Sequence, residues 1–168
     1  TWQSEALLDS VLNGHGAQMA SVLGLGMHQG RAALPPVANA HGMSIEWMKI
    51  PSGGQVGRHR LSQKQAIVIK QGTLDVAIEA TDGLFQQTLV GSEKSWDSYA
   101  IPEGHWRSLH NTGSSDVLLM VITSGDEKKR IEWCPDIIAK AAAASWVTDA
   151  NGCQVSYSAT ISQPIAPL

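Results

Sequence analysis

The sequence predicts an all-β domain, a sandwich or barrel, and three observations carry that prediction. Between Ser44 and Thr123, short stretches of alternating or apolar residues recur with turn signals at close intervals. The breaks between them are strong ones, such as Pro51-Ser52-Gly53-Gly54 and the hairpin turn Thr81-Asp82-Gly83. The last stretch, DVLLMVIT from Asp116, is apolar at both parities, which is the pattern of a strand covered on both faces.

The elements follow in order. Residues 1 to 12 place Trp2, Ala6, Leu7, Val11 and Leu12 at the spacing of a short amphipathic helix that ends at Asn13-Gly14. From Gly14 to Ala40 the chain is rich in Gly, Ala and Met and contains Pro35-Pro36, so an irregular arm is expected. His15, His28 and His41 lie on that arm or at its end, and their spacing supports no metal site. Strands are then expected at SIEWMKI, QVGRHRL, QAIVIK, TLDVAIE, LFQQTLV, WDSYAI, HWRSLHN and DVLLMVIT. Ile131 to Trp133 suits one more short strand, Pro135 then suits a first helical position, and DIIAKAAAASWV has the composition of a helix ending near Asp149–Gly152. The tail QVSYSATIS alternates like an edge strand, able to pair with its own sheet or a second subunit. The chain divides into a helix and arm (1–43), a β-barrel (44–130) and a helix with tail (131–168).

Composition narrows the function classes. A chain of 168 residues is the size of one domain, with 43% hydrophobic and 16% charged residues. The formal charge of −3 leaves no basic footprint for nucleic acid. No apolar run reaches the ~18 residues of a membrane span, and no leader pattern opens at Thr1. Cys134 and Cys153 form no CxxC pair, so reduced thiols in a cytoplasmic protein are expected. Six Trp against one Phe and two Tyr suit pocket walls or interfaces.

Two stretches carry a pattern. Gly53, His59, Gln65 and Gly72 stand at a regular spacing, and Pro102, Gly104 and Asn111 at another about thirty residues later. Together they resemble the paired motifs of the cupin superfamily. The resemblance implies a double-stranded β-helix, the cupin jelly roll, over residues 44 to 123. It places Leu61 where the second His of the first motif stands, Gln65 where that motif's Glu stands, Trp96 for the leading Gly of the second motif and Arg107 for its His. In that family the ligand positions face the barrel interior, so His59, Leu61, Gln65 and Arg107 are expected to ring a pocket, with His105 nearer its mouth. Homodimers are common in the family, and the apolar outer face of DVLLMVIT fits one.

Three readings follow. In the first, His59, Gln65 and His105 hold a divalent metal (Fe, Zn, Mn or Ni) with open positions for substrate. In the second, no metal is needed. Arg107 clamps an anionic small molecule, His59 acts as acid or base, Gln65 adds two hydrogen bonds, and Trp47, Trp96 and Trp106 are candidate walls. Oxygenase, isomerase or lyase chemistry is what the resemblance allows. In the third, the domain only binds a ligand or serves a structural role, and Arg107 pairs with an acid such as Glu46 or Asp97.

Overall fold

The computed structural model describes residues 1–13, 15–31, 34–39 and 41–156. The chain order is α1 (Leu8–Leu12), β1 (Gln18–Leu23), β2 (Met43–Ile50), β3 (Gln55–Arg60), β4 (Gln65–Ala80), β5 (Gly83–Gly91), β6 (Ser98–Ile101), β7 (Trp106–His110), β8 (Val117–Ser124), β9 (Glu132–Trp133), α2 (Pro135–Ala143), β10 (Trp146–Thr148) and β11 (Gln154–Ser156). One long antiparallel sheet curls on itself through β4. Its first half, Gln65 to Gln71, joins the layer β1-β2-β8-β4-β6, and its second half joins the layer β5-β4-β7-β3-β9. The stretches QAIVIK and TLDVAIE are therefore one strand. Gln71-Gly72 bends it at a register shift instead of ending it.

Alternation decides what enters the barrel. On β2, Ser44, Glu46, Met48 and Ile50 point in; on β8, Val117, Leu119, Val121 and Thr123 do. The register then sorts the interior by height. Met48, Leu119 and Ile69 form one row, and Val56, Leu109 and Val76 another, so this end is apolar. Ser44, Thr123 and Gln65 align at the opposite end, where His59 pairs with Arg107. Asn111 closes the apolar end. Its side chain donates to the carbonyls of Ile50 (2.9 Å) and Ser115 (2.8 Å) and accepts from Gly113 N–H (2.9 Å).

The flanking segments differ from expectation. The N-terminal helix is limited to Leu8–Leu12. The arm contains β1, which pairs with β2 because the edge of β2 needs partners for its backbone groups. The short strand expected at Ile131 to Trp133 does form, as β9 on the edge of β3. The C-terminal helix begins at Pro135 as expected but stops at Ala143, and Ser145, with φ 63, turns the chain into β10. The tail strand begins at Gln154 and pairs with β10; its residues beyond Ser156 lie outside the described residues. Both cysteines are free. No described helix is long and apolar enough to cross a membrane.

A strap, Gly24 to Gly30, crosses the polar end of the barrel. Glu46, 1% exposed, accepts Met27 N–H (2.8 Å) and His28 N–H (3.1 Å). Gly26 has φ 56, and a Cβ there would overlap the Glu46 carboxylate. Only glycine meets both demands. Gly26→Ala is expected to cost about 2–3 kcal/mol in urea unfolding, and to cost less in a Glu46→Ala background, where the overlap is gone and the left-handed φ remains. Equal costs in the two backgrounds would place the strap elsewhere.

Candidate functional site

Strands from both layers bring six polar side chains to one end of the barrel: Ser44, Glu46, His59, Gln65, Arg107 and Thr123, all buried. Arg107, 1% exposed, is the centre. Its Nη1 donates to Gln65 Oε1 at 3.4 Å, which links the two layers. Its Nε and Nη2 donate to the His105 carbonyl (3.2 and 3.0 Å), and Nη2 also donates to the Pro102 carbonyl (3.3 Å). No carboxylate pairs with it among the described residues. Burial pushes its pKa down to about 10. The two acids weighed as partners are occupied otherwise: Glu46 holds the strap, and Asp97 accepts Val90 N–H at 2.8 Å.

His59 sits opposite Arg107 on β3 and is 1% exposed. Its Nδ1 lies 2.8 Å from the Gly57 carbonyl. A carbonyl only accepts, so Nδ1 carries the proton and Nε2 the lone pair. Burial, with Arg107 adding to it and the Gly57 bond opposing it, pushes His59 down to about 4. The ring is therefore neutral at pH 7. It tilts against Trp133, centroids 5.3 Å apart at 49°. Gln65 donates weakly to Thr123 Oγ1 (3.3 Å) and to Met27 Sδ (3.4 Å), so the strap touches the cluster. His28, expected on a loose arm, is buried on that strap and pushed by burial down to about 4.

These residues do not fit a resident divalent metal. The amide oxygen of Gln65 already lies on a guanidinium cation, and Leu61 offers no donor. His105 stands partly exposed just before β7, with Nδ1 2.9 Å from the Glu103 carbonyl. Among the described residues no three His, Cys, Asp or Glu converge as a metal group. A single imidazole beside Arg107 is a poor cation site.

The tryptophan assignments are corrected by parity. Trp47 alternates with the inward Glu46 and Met48, so it lies on the outer face, 5.6 Å from Lys70 Nζ. Trp106 alternates with the inward Arg107 and carries Arg58 (4.4 Å) and Arg60 (4.8 Å) over its ring outside the barrel. Trp96 is 54% exposed near Lys70. Residue type suggested walls; alternation excludes Trp47 and Trp106 from the barrel interior, and exposure excludes Trp96.

The structure offers a different wall. A cleft of about 720 Å³ opens beside the polar end, between the barrel and α2. Trp133, Trp146, Leu61, Ile131 and Ile138 give it an apolar lining. Arg60, Glu132 and Arg130 supply its charges. Arg60 is held by Glu132 in a two-pronged pair at 2.7 Å each, while Arg130 is exposed and has no acidic partner among the described residues. None of His59, Gln65 and Arg107 lines this cleft, but Trp133 touches both sides. Trp133 and Trp146 were missed from sequence. Ile131 to Trp133 was expected as a short strand, but Trp133 was not picked out as a wall; Trp146 lay inside a stretch with helical composition.

Glu46 is pushed up to about 7 by burial, against the pull of Met27 and His28 N–H, Lys128 and Lys129. The folded chain keeps that proton up to about pH 7, while the unfolded chain releases it near its ordinary 4.5. Folding then takes up a proton, so this contribution falls as pH rises through that window, by about 3 kcal/mol. His28 and His59, held near 4 against 6.5, act in the opposite sense. Urea midpoints of wild type and Glu46→Gln should therefore converge or cross as pH rises from 5 to 7.5, with the variant gaining. A pH-independent difference would make Glu46 an ordinary carboxylate.

No protein-family model and no curated protein matches the sequence. Solved structures do match. An oxalate oxidase in complex with the substrate analogue glycolate is 19% identical over 73% of this chain and 57% of that chain, at TM-score 0.58. The Lactobacillus farciminis oxalate decarboxylase formate complex is 14% identical over 73% of this chain and 32% of that one, at TM-score 0.57. The Schizosaccharomyces pombe Cnp3 cupin domain is 16% identical over 75% and 69%, at TM-score 0.49, too low to add weight. The chain spans little more than half of the oxalate oxidase chain. The curled two-layer sheet and the first two of these likenesses agree: the chain has the cupin-type jelly-roll fold.

Proposed function

We propose that this domain binds a small molecule with an apolar body and one anionic group in the cleft between the barrel mouth and α2. The observation that carries the reading is the cleft itself: an apolar lining with two indoles and one unpaired guanidinium, Arg130, at its margin. Apolar surface supplies the affinity and a single cation selects the charged end. At the interior positions of the resemblance, Gln65 and Arg107 are buried, and Arg107 finds its partners in the Gln65 amide oxygen and backbone carbonyls. The fold neighbours solved with glycolate and formate hold small carboxylates, which supports the anionic class. Binding is favoured over catalysis, because the neutral imidazole of His59 does not line the cleft. One observation favours the catalytic reading: no hydrogen bond occupies Nε2 of His59 among the described residues, which leaves its lone pair free to accept a hydrogen bond from a ligand.

Calorimetry with paired probes tests this, phenylacetate and octanoate against their primary amides. The carboxylates should bind about tenfold tighter than the amides. Ala142, exposed on the cleft wall, is the blocking position. Ala142→Trp should abolish binding without lowering the melting temperature, and Arg130→Ala should erase the preference for carboxylate. Binding that survives Ala142→Trp places the site elsewhere. Conversion of a bound probe, followed by mass spectrometry, would restore the catalytic reading.

A further inference from the structure

Between the pairs Val56↔Leu109 and His59↔Arg107, β3 carries one residue more than β7. That bulge is what turns His59 inward. Val56 and His59 are three apart, and unbroken alternation would put them on opposite faces, yet both are buried. A bulge leaves a backbone group off the ladder. Here the Gly57 N–H donates to Asp9 Oδ2 at 2.7 Å, across 48 residues of sequence. The Gly57 carbonyl takes the His59 Nδ1 proton. Asp9 is 4% exposed, and burial pushes its carboxyl up. Its other oxygen accepts Asn13 Nδ2–H at 2.9 Å. A Cβ at residue 57 would meet Ile137 Cδ1 at 2.5 Å and the Asp9 carboxylate at 3.0 Å, so a side chain there forces both to shift.

The same segment reaches the cleft. Leu8, beside Asp9, lines it. The Leu8 N–H donates to Gln29 Oε1 at 2.8 Å, and the same oxygen accepts the Trp133 indole N–H at 3.2 Å. Asp9, through Gly57, and Gln29 thus tie α1 to the packed rings of His59 and Trp133, the second of which lines the cleft.

We propose that Asp9 is a positioning residue for the candidate site: from outside the barrel it holds the Gly57 bulge, which points His59 inward as its Nδ1–H tautomer and braces Trp133. Docking of the N-terminal segment and competence of the cleft are thereby coupled. The coupling to binding rests on the cleft reading above; the effect on His59 does not.

Long-range nitrogen–proton NMR of the imidazoles in the full chain separates the two. Wild type should show His59 as the Nδ1–H tautomer. Asp9→Asn should keep it, since the amide oxygen still accepts Gly57 N–H. Asp9→Ala should give mixed tautomers and weaken phenylacetate about five- to tenfold, the scale of one lost buried hydrogen bond. Gly57→Ala, which displaces the carboxylate, should do the same and serves if Asp9→Ala does not fold. An unchanged His59 signature in either variant overturns the proposal. A changed signature with no phenylacetate binding in wild type would leave Asp9 its role and remove the cleft reading.

Discussion

A guanidinium buried in a β-barrel is the constraint that the polar end of this molecule obeys. Arg107 keeps its charge with no carboxylate among the described residues, so neutral oxygens must solvate it. The carbonyls of Pro102 and His105 turn toward it, which fixes the turn leading into β7. Gln65 offers its amide oxygen from the other layer. His59, facing that cation from the next strand, stays neutral. The same charge argues against a divalent cation in the space they share. The positions that could ring an open pocket are filled, and the usable space moves outside the barrel, to the cleft bounded by Leu61, Trp133 and α2.

Segments outside the jelly roll complete it. Two buried carboxylates do this in opposite directions. Glu46, on the barrel, reaches out to the N–H groups of the strap; Asp9, on α1, reaches in to the N–H of Gly57. Each satisfies backbone donors that the sheet leaves unpaired, and a buried donor without a partner would cost about 1–3 kcal/mol. Both therefore tie the N-terminal segment to the polar end of the barrel.

Much of the fold was legible because its signals are local. Alternation and turn residues gave the strands from Ser44 to Thr123, and Thr81-Asp82-Gly83 marked the turn between β4 and β5. Pro135 marked the start of α2. The spacing of Gly53, His59, Gln65 and Gly72, and of Pro102, Gly104 and Asn111, gave the resemblance. Of the four positions that the resemblance set around a pocket, His59, Gln65 and Arg107 are buried together at the polar end, while Leu61, also buried, lines the outer cleft. What failed to show were pairings set by distant partners. β1 looked irregular because its strand character comes from the edge of β2. Asp9 looked like one more acid on a short helix, since the bulge it serves lies 48 residues away. Trp47 and Trp106 were chosen by residue type where parity already pointed them outward, and the Ala-rich run hid the turn at Ser145 that brings Trp146 to the cleft.

The six indole N–H signals offer the most direct measurement of the central claim, that ligand binds beside the sealed barrel end. Phenylacetate would be titrated into nitrogen-labelled protein and each indole followed. The account predicts shifts at Trp133 and Trp146, with Trp2, Trp47 and Trp96 unmoved. Shifts confined to Trp47 and Trp96, or none at saturating probe, would contradict it.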